Sequence, residues 1–145
     1  MLFEGLLNRG SIPVLERVMS FTEARQGVLA NNVSNFDTVG YKVKDLSKEV
    51  FFATLREAVE RRAKGGASAP LAMESTGQLE WDGRGRLRAQ ASPVANSNIL
   101  FHDGNNRFVE KQMSEMAQNA MLHNVTAELL RGQYSGLQTA IRGRL

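Results

Sequence analysis

The run Ala30-Asn31-Asn32-Val33-Ser34-Asn35-Phe36-Asp37-Thr38-Val39-Gly40-Tyr41-Lys42 decides how the chain is organised. It closes one heptad-patterned helix and has a counterpart in a second heptad seam near the other end. Asn31, Asn32 and Asn35 accept left-handed or C-cap backbone better than most residues, and Ser34 can bond its own backbone. The cluster therefore stops a helix without a proline. Gly40 supplies a positive φ for a tight turn over Thr38 to Tyr41, while Tyr41 brings an aromatic body to bury and Lys42 a charged end.

Backward from this run, Ser11 is a suitable N-cap, and Pro13 sits in the first turn, where its missing N–H costs nothing. Ile12, Leu15, Met19, Thr22, Gln26, Leu29 and Val33 then recur at alternating steps of three and four, which keeps them on one helical face. Thr22 and Gln26 make the centre of that seam polar. Such residues weaken an apolar stripe but can fix register between partners. An amphipathic helix on a core and a coiled-coil seam fit this segment equally well.

Forward from it, a second seam of Val109, Met113, Met116, Ala120, His123, Ala127, Leu130, Tyr134, Leu137 and Ile141 holds the same alternation, after turn and capping residues Asp103-Gly104-Asn105-Asn106. At 1.5 Å per residue the later helix should run about 45 to 50 Å and the earlier one roughly 33 Å. The expected fold is mainly α, with the long N- and C-terminal helices packed as an antiparallel coiled coil. Residues 1–42 and 103–145 then form one discontinuous unit around a central region, 43–102. Long helices with narrow apolar faces leave surface for neighbouring subunits and little private core, so an isolated chain is expected to be partly disordered.

In the middle, Asp45 is placed to cap a helix over Leu46 to Arg62, with Val50, Phe51, Leu55, Ala58 and Val59 on its apolar side. Lys64 to Pro70 reads as a flexible linker. Leu79 to Leu87 fits a short hairpin around Asp82-Gly83 or, equally, an irregular arginine-bearing loop.

Composition bounds the chemistry. The chain has 145 residues, enough for one modest core, and its 18 Lys and Arg against 15 Asp and Glu leave a net charge of only +3. It has no cysteine, which excludes disulfides and thiolate metal sites. No run of about 18 apolar residues is present to span a bilayer, and the opening residues lack the basic and apolar regions of a cleaved secretory signal. His102 and His123 have no spaced carboxylate cluster around them, and no nucleophile elbow or phosphate-binding glycine pattern occurs. No catalytic, cofactor or metal residue is expected. Asn32-Val33-Ser34 and Asn124-Val125-Thr126 have the form of glycosylation sequons but lie in helical context. Arg84, Arg86 and Arg88 admit a helical nucleic-acid-binding adapter as a rival, but no base-reading motif accompanies them.

The segment Ala30 to Lys42 resembles the Asn-rich signature of the flagellar axial proteins, where rod and hook-type subunits leave their first helix. Its signature positions here are Asn31, Asn32, Asn35, Thr38, Gly40, Tyr41 and Lys42. That family usually places Pro before the glycine; Val39 stands there instead, which should loosen the unbound loop by about 0.4 to 1 kcal/mol. Phe36 is also bulkier than the small residue usual at its position. The ending Leu129-Leu130-Arg131-Gly132-Gln133-Tyr134-Ser135-Gly136-Leu137-Gln138-Thr139-Ala140-Ile141 is similar to that of proximal-rod subunits, as are Lys44-Asp45 and Asp103 to Asn106.

The resemblance implies a structural subunit of the proximal rod of the bacterial flagellar basal body, assembling as homo- and hetero-oligomer into a torque-transmitting shaft. Its implied partners are other rod subunits, the ring-to-rod adaptor FliE and the flagellar export gate, with no nucleic acid, small-molecule ligand or membrane insertion. It also implies export to the periplasmic basal body without a cleaved signal, with Leu2, Phe3, Leu6 and Leu7 either part of an export signal or helix anchors. The assembly seam would comprise Leu15, Met19, Leu29, Val33, Met113, Met116, Leu130, Tyr134, Leu137 and Ile141. Another rod or hook-basal subunit shares the N-terminal signature and is the nearest alternative.

Overall fold

A computed structural model of the chain describes residues 10–38, 41–66, 69–94 and 104–143, with side chains in the last stretch from Val109 onward. Leu2, Phe3, Leu6 and Leu7 lie outside the described residues, as do Gly40 and His102.

Helix α1, Ile12–Ser34, begins where Pro13 fixes the first turn and the Ser11 carbonyl accepts from the Leu15 N–H at 2.9 Å; the Ser11 side chain makes no capping bond. The helix stops at Asn35 with φ −103°, and no non-glycine residue among those described has a positive φ. The asparagines therefore end α1 by a route other than left-handed backbone. The Asn35 side-chain amide donates to both the carbonyl and Oδ1 of Asn31, each at 2.8 Å, adding a second donor to a carbonyl that already accepts from the Asn35 N–H at 3.1 Å. The Tyr41 N–H donating to the Thr38 carbonyl at 3.1 Å closes the turn that follows.

Strand β1 is the dipeptide Lys44–Asp45, and helix α2 covers Lys48–Gly65. The cap of α2 is Ser47 and not Asp45: its hydroxyl accepts from the Val50 N–H at 3.2 Å. Asp45 is drawn off to a different task. The helix also continues through Lys64, which the linker reading had placed outside it. Phe51, Leu55 and Ala58 are buried as expected from the apolar side, whereas Val50 and Val59 are exposed.

Strands β2, Leu79–Trp81, and β3, Leu87–Ala89, pair antiparallel with Trp81 opposite Leu87, so the hairpin alternative holds. Its tip is built by Asp82, whose carboxylate accepts from the backbone N–H groups of Arg84 at 2.9 Å and Arg86 at 2.7 Å. Gly85 takes a φ of +77° there, a conformation that disfavours any side chain. Arg17 reaches over from α1, donates to the Gly85 carbonyl and lies 5.0 Å above the Trp81 ring. The short strand β4, Ser92–Pro93, pairs antiparallel with β1.

The core joins one face of α1 to α2 and the hairpin. Val18 and Phe21 meet Leu46, Phe51, Leu55, Ala58, Leu71 and Leu79, and the rings of Phe21 and Phe51 stack with centroids 4.0 Å apart. This is a private core that the long-helix pattern did not anticipate. Helix α3, Gly104–Arg142, runs for 39 residues, about 58 Å and longer than expected. Among the described apolar residues of α3, Leu122 is the one that packs at the margin of the core.

Candidate assembly interface

The contact between α1 and α3 is made by a ladder of polar side chains. Asn32, almost fully buried, uses its whole amide: Nδ2 donates to the Lys44 carbonyl at 2.6 Å and to Gln112 Oε1 at 2.9 Å, while Oδ1 accepts from the Tyr41 hydroxyl at 3.0 Å and the Lys44 N–H at 3.1 Å. One side chain thus ties the end of α1, the loop after it and α3 together. Asn32→Ala leaves several of these groups without partners at about 1 to 3 kcal/mol each, reduced where water can enter. The expected loss is about 3 kcal/mol, read as a lower urea midpoint at unchanged slope.

Further along, Arg25 is 1% exposed within α1 and bridges two carboxylates. It binds Asp45 in bidentate fashion at 2.9 and 2.8 Å and Glu115 at 2.8 Å, and Lys48 closes the set on Glu115 at 2.9 Å. Two cations and two carboxylates from α1, β1, α2 and α3 balance one another, the arrangement that a buried charge requires. Next come Asn119, donating to the Thr22 carbonyl and Gln26 Oε1 at 2.8 Å each, His123 sharing a 3.0 Å bond with Thr22, and the Tyr134 hydroxyl donating to Glu16 at 2.9 Å.

Burial acts to raise the Glu115 carboxyl, but hydrogen bonds from Arg25 and Lys48, with their charges, outweigh it and hold the group below its ordinary 4.5. A carboxyl depressed in the folded state contributes stability above its unfolded value and loses it as pH falls through the folded one. The α1–α3 contact is therefore expected to weaken as pH drops below 4.5. Urea midpoints across pH 7 to 3 should show that decline, and Glu115→Gln should lower stability at pH 7 and flatten the acid limb.

The signature residues divide by role in this geometry. Asn32 and Tyr41 clamp the loop, Asn31 and Asn35 close the helix end, Thr38 closes the turn through backbone, and Lys42 is exposed. Of the seam residues, Leu29 is buried; Leu15, Met19, Val33, Met116, Leu130 and Leu137 are half-buried. Met113 is 57% exposed, Ile141 64% and Tyr134 38%. The inner face of α3 is instead centred on Gln112, Asn119 and Thr126, one position before the seam residues Met113, Ala120 and Ala127. The rotation has a cause: Asn32, Arg25, Thr22 and Gln26 need amide and carboxylate partners, which Gln112, Glu115 and Asn119 supply. The seven-residue spacing of 112, 119 and 126 was the available signal, hidden because the residues are polar.

No helix among the described residues is long and apolar enough to cross a membrane, and no group of three or more His, Cys, Asp or Glu among them could hold a metal ion.

The model of the family described as flagella basal body rod protein matches residues 14–42, the length of α1 with the Asn32 clamp. The chain is similar to the flagellar basal body rod protein FlgB of Bacillus subtilis, 28% identical over 139 residues that cover 92% of this chain and 95% of that protein. It is 29% identical to the FlgB of Aeromonas hydrophila over 86% of this chain and 87% of the other. Against the FlgB of Escherichia coli it is 23% identical over 88% and 89%. No solved structure matches. The chain is similar along nearly its whole length to the flagellar basal body rod proteins called FlgB.

Proposed function

We propose that the chain is the subunit of the proximal part of the flagellar rod, joining other rod subunits and the ring-to-rod adaptor FliE to form a shaft that carries torque. The observation that carries this reading is the similarity over 92% of the chain to a protein of that name and nearly the same length. The fold supports it. Partners of α1 fall in number along α3 as α1 is followed forward, from Tyr134 at Glu16 to Gln112 at Asn32, as an antiparallel coiled coil requires. Residues 1–42 and 103–145 then act as one axial unit, with 43–102 as a body on its side. The signature set Asn31, Asn32, Asn35, Thr38, Gly40, Tyr41 and Lys42 fixes the exit from α1, and the half-buried residues of the seam face helices or neighbouring subunits. Delivery is through the flagellar export gate to the periplasmic basal body, without cleavage.

Leu137 tests this. It lies on the inner face of α3, seven residues from Leu130, and Leu137→Asp places an unpaired charge there. Cells carrying it should make and export the protein yet lack a rod, filaments and motility. Glu128→Gln, on the exposed side, should leave motility intact. Normal swimming in the Leu137→Asp strain would remove α3 as an assembly surface.

A further inference from the structure

Helix α3 carries two unlike flanks. On one, beside α1, two open concavities of about 320 and 380 Å³ follow one another along α3, lined by small residues Gly27, Ala30, Ala120 and Ala127, by Met19 and Leu130, and by the charged Glu23 and Arg131. On the other flank Met121, Val125 and Leu129 stand 70%, 52% and 54% exposed, four residues apart, so they form a continuous ridge. We infer that the ridge of one copy of this chain packs into the α1–α3 groove of the next copy.

This rests on the rod reading and names the partner of that surface. The sizes are complementary, Met, Val and Leu against Gly and Ala, so that backbones can approach and the ridge fills what the groove leaves open. The ridge from Met121 to Leu129 is about 12 Å long and fits within the groove, which follows α3 from Ala120 to Gln138 for about 27 Å. Gln118, Met121, Val125, Leu129, Gly132 and Gly136 make the stripe along this ridge free of charge, so the ridge brings no ion to the groove, whose own lining includes Glu23 and Arg131. A two-fold contact of ridge on ridge would bury large residues against large and leave the groove empty. Because ridge and groove occupy different flanks of one helix, the contact is head-to-tail and repeats in one direction, the condition for an open helical array.

The chain has no cysteine, so introduced thiols report the contact cleanly. Cells producing full-length Val125→Cys together with full-length Ala120→Cys or Ala127→Cys should give, in isolated basal bodies under mild oxidation, a dimer of this chain in at least one mixed pair. It should be more than tenfold stronger than with any single variant. Adding Leu129→Asp to the ridge variant should abolish it; Leu129 lies outside the core cluster, so circular dichroism of the purified protein should be unchanged. A dimer from Val125→Cys alone would mean a two-fold contact and would overturn the inference. So would rods that contain both variants but yield no dimer, or a crosslink to a different protein. Basal bodies lacking the chain altogether would instead overturn the rod reading, and this inference with it.

Discussion

Arg25→Met is expected to lower the unfolding free energy by about 3 to 5 kcal/mol, the range found when one partner of a buried ion pair is removed. Methionine keeps the length and apolar stem, so lost packing is a small part of the effect. What it leaves is Asp45 and Glu115, previously held by one guanidinium, with only Lys48 on the second of them. Both carboxylates are partly open to water, at 30% and 22% of their side-chain surface, and the lower end of the range is the better expectation. The variant should also show a flatter acid limb: as pH falls the parent loses the stability that its depressed Glu115 carboxyl contributes, so the deficit against the parent narrows. A loss under about 1 kcal/mol in urea titration would show that the charges are solvated in solution and that the set does not hold α3 in place.

That ion set was illegible in the sequence, and the reason is physical. Arg25 falls at an ordinary position of an amphipathic helix, and nothing local distinguishes it from a solvated arginine. Only tertiary packing brings Asp45, Lys48 and Glu115 to it from three other elements. Asp45 reads as a helix cap because local spacing favours that role, but the cap is Ser47, since a buried guanidinium competes for the Asp45 carboxylate more strongly than exposed backbone N–H groups can. The heptad pattern of α3 misplaced its inner face by one position for a related cause. Periodicity is scored on apolar residues, while here the inner face is Gln112, Asn119 and Thr126 and the apolar residues lie to either side.

What was legible depended on local chemistry. The Asn-rich end of α1, the Asp82-Gly83 hairpin and the apolar face of α2 were set by residues within a few positions of one another. The clamp at Asn32 was only half visible: asparagine was expected to end the helix by its backbone, whereas its amide serves as a four-way connector. Met113 and Ile141 mark the opposite case, apolar residues at correct spacing that the folded chain leaves exposed.

Phe21→Ala should match Arg25→Met in size while acting on the other face of α1. Phe21 is fully buried at the centre of the core, and its ring stacks on Phe51 with the planes 4° apart. Truncating a buried phenylalanine costs about 3 to 5 kcal/mol, because the transfer free energy is lost and the cavity closes only in part. Against the 5 to 15 kcal/mol of a typical domain, that is enough to leave a measurable unfolded fraction at 37 °C. Phe51→Ala should cost a similar amount, and the double variant less than the sum by about 0.5 to 1.5 kcal/mol, the worth of the aromatic pair beyond its area. The two faces of α1 are then separable by experiment. Arg25→Met should loosen α3 first, seen as faster amide exchange along 112–126 than in α2. Phe21→Ala should accelerate exchange in α2 and the hairpin as well, because among the described apolar residues of α3 Leu122 alone reaches the core, too little to hold the body together. Equal exchange profiles for the two variants would mean that the chain unfolds as one unit and that the polar ladder and the core are not independent.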